Sequence, residues 1–243
     1  YRDTIPSYAS TVTFETLNEY HEIVDRCRDV GYTAYKLHAW GDTRKDAELA
    51  NALRRWTTAS TPLMFDGSAG WDYVDALWFG KQLEEAGYLW YEEPCREFDL
   101  ETYAKLSQKL DIPLLVAETS DSCHWNAASF IKANAGDMIR TGAHYKGGIT
   151  GAIKIAHLAE SFGMRAEVHG GGLPNLHLAL AVPNNTFYED LVICAEQIRE
   201  RPNAEQIPLN RDGTVSASTA PGVGWSFDWK EIAHRAVHSV TID

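Results

Sequence analysis

Three acidic residues each close a short apolar run. Asp66 ends Pro62-Leu63-Met64-Phe65, Glu92 ends Tyr88-Leu89-Trp90-Tyr91, and Glu118 ends Pro113-Leu114-Leu115-Val116-Ala117. They recur at a fixed interval, since 92 − 66 and 118 − 92 are both 26. The stretches between them carry charged and apolar residues at helical spacing, so the local unit is strand, helix, strand. Three such strands side by side in a parallel sheet bring their carboxyl ends together. Carboxylates crowded there repel, and burial adds to the cost of keeping them ionised. A hard divalent cation removes that conflict, and an all-oxygen donor set favours Mg²⁺. The chemistry expected of Asp66, Glu92 and Glu118 is therefore a metal site.

The elements that must position these acids can be followed along the whole chain. Strands are expected over 5–11, 32–38, 62–66, 88–92, 113–118, 137–141, 164–169 and 186–193. Helices are expected over 13–30, 44–56, 72–86, 99–110, 123–134, 147–162 and 174–181 between them. Eight strands and seven intervening helices at a period near 25 residues point to a (β/α)₈ barrel of the TIM type, which closes the sheet and leaves no edges. From Arg201 onward Pro, Asn, Gly and Ser rise. Residues 1–203 are read as the barrel, and 204–243 as an irregular tail across it, ending in a helix near Trp229 to Val237.

In such a barrel the strand C-terminal ends converge on one face, where active sites sit. The polar residues at those ends are Lys36 and His38, Asp66, Glu92, Glu118, His169 and Glu189. Lys36 and His38 are two apart on one strand and share a face. Cations and imidazoles around three metal-holding acids suit the removal of a proton beside a carboxylate. That proton is weakly acidic, and the enolate left behind needs concentrated positive charge. Asp66, Glu92 and Glu118 hold the metal, Lys36 and the metal supply charge, and a nearby base takes the proton.

Bulk composition narrows the alternatives. The 243 residues are 44% hydrophobic and 23% charged, an ordinary balance for a folded domain. A formal net charge of −12 argues against a nucleic-acid partner, but a metal reverses the local field for a small anion. No apolar run approaches the roughly 20 residues that span a membrane. Cys27, Cys95, Cys123 and Cys194 are scattered without a CxxC pair, so a reduced, cytoplasmic setting is expected.

Lys36-x-His38, Asp66, Glu92-Glu93-Pro94, Ala117-Glu118, Gly147-Gly148-Ile149-Thr150, His169 and Pro221-Gly222-Val223-Gly224, in this order and spacing, resemble the enolase superfamily. The resemblance is closest to its mandelate racemase/muconate lactonizing branch. It implies Mg²⁺ on Asp66, Glu92 and Glu118, with Glu92 preferred over its neighbour Glu93. It implies acid/base groups at Lys36, His38 and His169, with Glu189 touching the enolate oxygen or its carboxylate. The substrate it implies is a small carboxylate, with a sugar acid favoured. Family members often assemble through barrel surfaces, so a homo-oligomer is an open expectation that no residue of this chain decides.

Three departures stand out. The family commonly has Lys-x-Lys where this chain has Lys36-x-His38, and either residue could serve as the base. Gly142 stands where many members carry an Asp that partners the strand-7 His. Without it His169 serves as an acid, or finds another partner. Members also begin with an α+β capping domain, whereas this chain starts at the first barrel strand and reads as a fragment lacking it. The expected reaction is sugar-acid dehydration, with His38 or Lys36 taking the α-proton and His169 protonating the departing β-hydroxyl. The alternatives are a cycloisomerase or racemase using the same enolate, and a non-catalytic acid-binding relative.

Overall fold

The apolar runs form parallel strands and the mixed stretches form helices, as their periodicities dictate. The computed structural model describes residues 1–192 and 207–240. Eight strands are β1 (Thr4–Thr11), β2 (Tyr35–His38), β3 (Leu63–Asp66), β4 (Trp90–Glu92), β5 (Leu114–Val116), β6 (Met138–Thr141), β7 (Arg165–Val168) and β8 (Tyr188–Val192). They alternate with α1 (Leu17–Val30), α2 (Thr43–Trp56), α3 (Tyr73–Glu85), α4 (Leu100–Ser107), α5 (Cys123–Ala133), α6 (Gly148–Ser161) and α7 (Leu173–Ala181). The expected boundary at 203–204, together with Ile193 and Cys194, lies outside the described residues.

Helices α1 to α4 begin where side chains satisfy free N–H groups of their first turn. Thr16 and Glu19 form a reciprocal capping box, which sets the start of α1 at Leu17 rather than near residue 13. Asp42, Asp72 and Asp99 cap α2, α3 and α4 by accepting from backbone N–H groups of the first turn. Gly31 ends α1 at φ 116°, a left-handed conformation that glycine adopts without steric cost.

The sheet runs β7-β6-β5-β4-β3-β2-β1-β8 with every neighbouring pair parallel. Among the described residues no ladder joins β7 to β8, so the expected edge-free sheet is nearly, not fully, closed. The stretch just before β8 seals the seam. Asn184 O accepts from Ala166 N at 3.0 Å, Asn185 Oδ1 accepts from Val168 N at 2.8 Å, and the Glu167 carboxylate accepts from Thr186 N at 3.1 Å. These bonds satisfy backbone groups that a ladder would otherwise pair.

The tail is less irregular than expected. A ninth strand, β9 (Thr214–Ser216), runs antiparallel to the first residues of β1, pairing Thr4 with Ser216 and Pro6 with Thr214. The final helix among the described residues, α8 (Trp229–Arg235), stops two residues short of the expected end. Trp125, Trp225 and Trp229 are exposed rather than packed. Among the described residues no helix is long and apolar enough to cross a membrane.

Alternation along the strands builds the barrel interior in layers. Tyr8, Ala34, Met64, Trp90, Leu115, Met138 and Phe187 form one buried apolar cluster. Tyr8 and Phe187 meet the Trp90 ring at 5.8 and 6.1 Å. Two residues further along four of these chain segments stand Lys36, Asp66, Glu92 and Arg140, with Glu189 two past Phe187. A polar layer thus sits directly on an apolar plug.

Candidate active site

Strand register fixes the central contacts. His38 pairs with Asp66 across β2–β3, and Asp66 pairs with Glu92 across β3–β4. Glu118, expected at the end of a strand over 113–118, lies two residues beyond β5, after Ala117 at φ 70°. Glu93 (φ 38°), Ser68 (φ 47°) and Ala69 (φ 58°) are likewise left-handed just past strand ends. Non-glycine residues held there carry strain, and such strain gathers at functional loops. One carboxylate oxygen from each of Asp66, Glu92 and Glu118 lies within 4.8 Å of the other two.

Lys36 is fully buried among carboxylates. Its Nζ stands 2.8 Å from Glu92 Oε2, 2.8 Å from Glu189 Oε1 and 3.3 Å from Asp66 Oδ2. Burial alone would lower the Lys36 ammonium, but Glu189 and Glu92 outweigh it and hold its pKa well above the ordinary value. Lys36 is therefore a fixed positive charge. Burial likewise acts to raise Asp66, Glu92 and Glu189, yet the neighbouring cations prevail and hold all three below the usual carboxylate range.

His38 meets Asp66 Oδ2 through Nε2 at 3.3 Å, and its Nδ1 bonds the carbonyl oxygen of Thr11. A carbonyl only accepts, so Nδ1 carries a hydrogen and Nε2 is the nitrogen that faces the acids. Burial works to lower the His38 pKa, but Asp66 outweighs it and the net shift is upward. His169 stands at the other end of the acid cluster, with Nε2 3.1 Å from Glu118 Oε1 and its ring stacked on Tyr145 at 5.2 Å. Burial pushes the His169 imidazole down to about 4. A Cβ on Gly142 would lie 3.1 Å from His169 O, so position 142 adjoins His169 but offers it no side chain. Glu118 is the partner His169 has instead.

Glu93 does not join the cluster. It turns away to accept from Glu118 N at 3.3 Å and Thr119 Oγ1 at 3.1 Å, so it braces the turn that carries Glu118. Burial pushes the Glu93 carboxyl up to about 7. Glu189 takes the N–H of Gly170 at 2.7 Å on its second oxygen, and its neighbour Asp190 bonds the Tyr32 hydroxyl instead. Trp40, two residues past His38, donates through Nε1 to Phe14 O and packs on Tyr20.

Arg140 is the site residue the sequence reading missed. It lies in the middle of β6, 1% exposed, and its guanidinium grips both oxygens of Glu92, with Nη2 to Oε2 at 2.8 Å. It also reaches Tyr8 OH at 3.1 Å, Val168 O at 3.1 Å, Glu189 Oε2 at 3.3 Å and Glu118 Oε2 at 3.6 Å. The signal that would have found it is the alternation. Arg140 is two past the apolar-plug residue Met138, just as Glu92 is two past Trp90. Glu118, Arg140, Gly142, Tyr145, Lys146 and His169 border a cleft beside the acids. Burial lowers the Lys146 pKa, and its Nζ donates to Ser120 O at 2.5 Å.

The donor set fits a dication. Glu118 Oε2 is buried yet accepts no hydrogen bond, and burial together with Glu92 and Asp66 pushes its carboxyl up to about 10. A divalent cation shared by the three acids relieves both features.

Comparison with known proteins agrees with this geometry. Residues 19–232 match the model of the enolase C-terminal domain-like family. The chain belongs to that family. It is 29% identical over 229 residues to the L-talarate/galactarate dehydratase of Salmonella typhimurium, covering 93% of this chain and 56% of that protein. It is 26% identical to the 3,6-anhydro-α-L-galactonate cycloisomerase of Streptomyces coelicolor, covering 98% of this chain and 64% of that protein. Among solved structures, the D-glucarate dehydratase of Agrobacterium tumefaciens complexed with magnesium superposes with a TM-score of 0.88 at 34% identity, over 96% of this chain and 66% of that one. The chain spans between about half and two thirds of the length of these relatives.

Proposed function

We propose that the protein is a Mg²⁺-dependent enzyme that removes the α-proton of a small carboxylate, and that the carboxylate is a sugar acid which it dehydrates. The observation that carries this reading is the trio Asp66, Glu92 and Glu118, the first two buried and the third half-buried, with an oxygen of each within 4.8 Å of the others and a lysine and two histidines at its edges. Mg²⁺ held by the three acids would supply concentrated positive charge for the substrate carboxylate as it becomes an enediolate.

The chain's own residues divide the remaining work. Lys36, held protonated between Glu92 and Glu189, acts as a permanent charge rather than a base. His38, with Nδ1 committed to Thr11 O, offers Nε2 as the base for the α-proton. His169 approaches from the Glu118 end and returns a proton to the departing β-hydroxyl, which leaves as water. An anionic substrate beside His169 raises its low proton affinity toward that task. The resulting enol tautomerises to a 2-keto-3-deoxy acid.

The dehydratases of Salmonella and Agrobacterium support this choice, and the Streptomyces cycloisomerase supports an alternative in which a similar acid is isomerised rather than dehydrated. A screen of sugar acids that includes galactarate and glucarate separates the two. Dehydration gives a 2-keto product that semicarbazide traps. α-Deuterium uptake from D₂O without a trapped ketone indicates isomerisation or racemisation. Neither signal from any acid would sink the enzymatic reading and favour a non-catalytic binding relative.

A further inference from the structure

Building on the metal site proposed above, we infer that Arg140 is a positioning residue that sets the charge of the site. It loosens the hold on the divalent cation so that the loaded site is neutral when an anionic substrate arrives. Two fixed cations, Lys36 and Arg140, both bridge Glu92 and Glu189, one from β2 and the other from β6. With all four acids (Asp66, Glu92, Glu118, Glu189) ionised, as a bound cation would hold them, these two cations leave a formal charge of −2, the complement of one dication. The guanidinium cannot be deprotonated in a protein, so its share of that balance holds across the whole working pH range. Its fork also takes both oxygens of Glu92, the acid at the centre of the trio.

Removing the Arg140 charge has a definite sign. The site passes from −2 to −3, and a cation a few ångströms away is held more tightly. Glu92 does not come adrift, because Lys36 Nζ at 2.8 Å and Trp90 Nε1 at 3.4 Å still bond it. The loaded site then carries −1 and repels the substrate carboxylate. Metal affinity and substrate affinity should therefore move in opposite directions. A purely architectural role for Arg140 would weaken both.

The test is calorimetric titration of Mg²⁺ into metal-stripped whole protein for wild type, Arg140→Gln and Arg140→Lys. The expected result is Mg²⁺ binding about tenfold tighter in Arg140→Gln and within about threefold of wild type in Arg140→Lys, which keeps the charge but not the fork. The acid turned over by the wild type should show a raised KM in Arg140→Gln at saturating Mg²⁺. Unchanged or weaker Mg²⁺ binding in Arg140→Gln overturns the inference. If that variant fails to fold, Arg140→Lys decides, and a change beyond about threefold in either direction overturns it. A wild type that binds no Mg²⁺ sinks the metal reading itself, a failure distinguishable from that of Arg140 alone.

Discussion

Replacing Lys36 with Met removes the only side-chain cation that β2 contributes at zero exposure, and leaves three carboxylates that it pairs at 2.8 to 3.3 Å. Breaking a buried ion pair from one side costs about 3–5 kcal/mol when the partner is left unpaired, and the lower end is expected here because Arg140 still bonds Glu92 and Glu189 and His38 still meets Asp66. For a chain of this size that corresponds to a fall in Tm of roughly 10 °C. The pH dependence carries a sign. Asp66, Glu92 and Glu189 have depressed pKa values, so the stability they contribute is present above their ordinary pKa of about 4 and is lost as pH falls below it. Lys36 is raised, so its contribution is complete below about 10.5 and is lost only at higher pH. The gap between wild type and Lys36→Met should therefore be full from about pH 5 to 10 and narrow steadily below pH 4. Urea unfolding at several pH values, with and without Mg²⁺, measures it. A gap that is absent at pH 7, or that persists undiminished at pH 3, would refute the reasoning.

Other perturbations separate the remaining roles. Asp66→Asn or Glu118→Gln should abolish calorimetric Mg²⁺ binding while Glu93→Gln, whose carboxylate braces the Glu118 turn, weakens it only partly. Glu93→Ala leaves Glu118 N and Thr119 Oγ1 without their acceptor and should cost about 1–3 kcal/mol in denaturant unfolding. His38→Gln should stop α-deuterium exchange in D₂O, whereas His169→Gln should retain exchange and lose the trapped ketone. Exchange surviving in His38→Gln would transfer the base role elsewhere.

How far the sequence anticipates the molecule depends on which physical signal each part uses. The barrel follows from apolar runs recurring near every 25 residues, and all eight parallel strands occur where that period places them. Asp66 and Glu92 were legible because strand ends converge and the register aligns them. Glu118 was legible as an acid but not as a residue beyond its strand, since a left-handed Ala117 leaves no trace in composition. Arg140 was hidden because a mid-strand arginine looks like a surface residue until alternation from Met138 turns it inward. β9 was missed because three residues give no periodicity, and its pairing with Thr4–Pro6 is a contact across more than 200 positions. The β7–β8 seam depends on side chains of Asn185 and Glu167, which no strand pattern reports. The Glu118 partnership of His169 answers the missing Asp at position 142, and only coordinates could supply it.

The most direct measurement is a crystal structure of the protein grown with Mn²⁺ in place of Mg²⁺, with anomalous scattering used to find the ion. The account predicts one peak bonded to oxygens of Asp66, Glu92 and Glu118 at about 2.1 Å, with Lys36 and Arg140 still on Glu92. No peak among these acids at saturating metal, or a peak held by other residues, would contradict it.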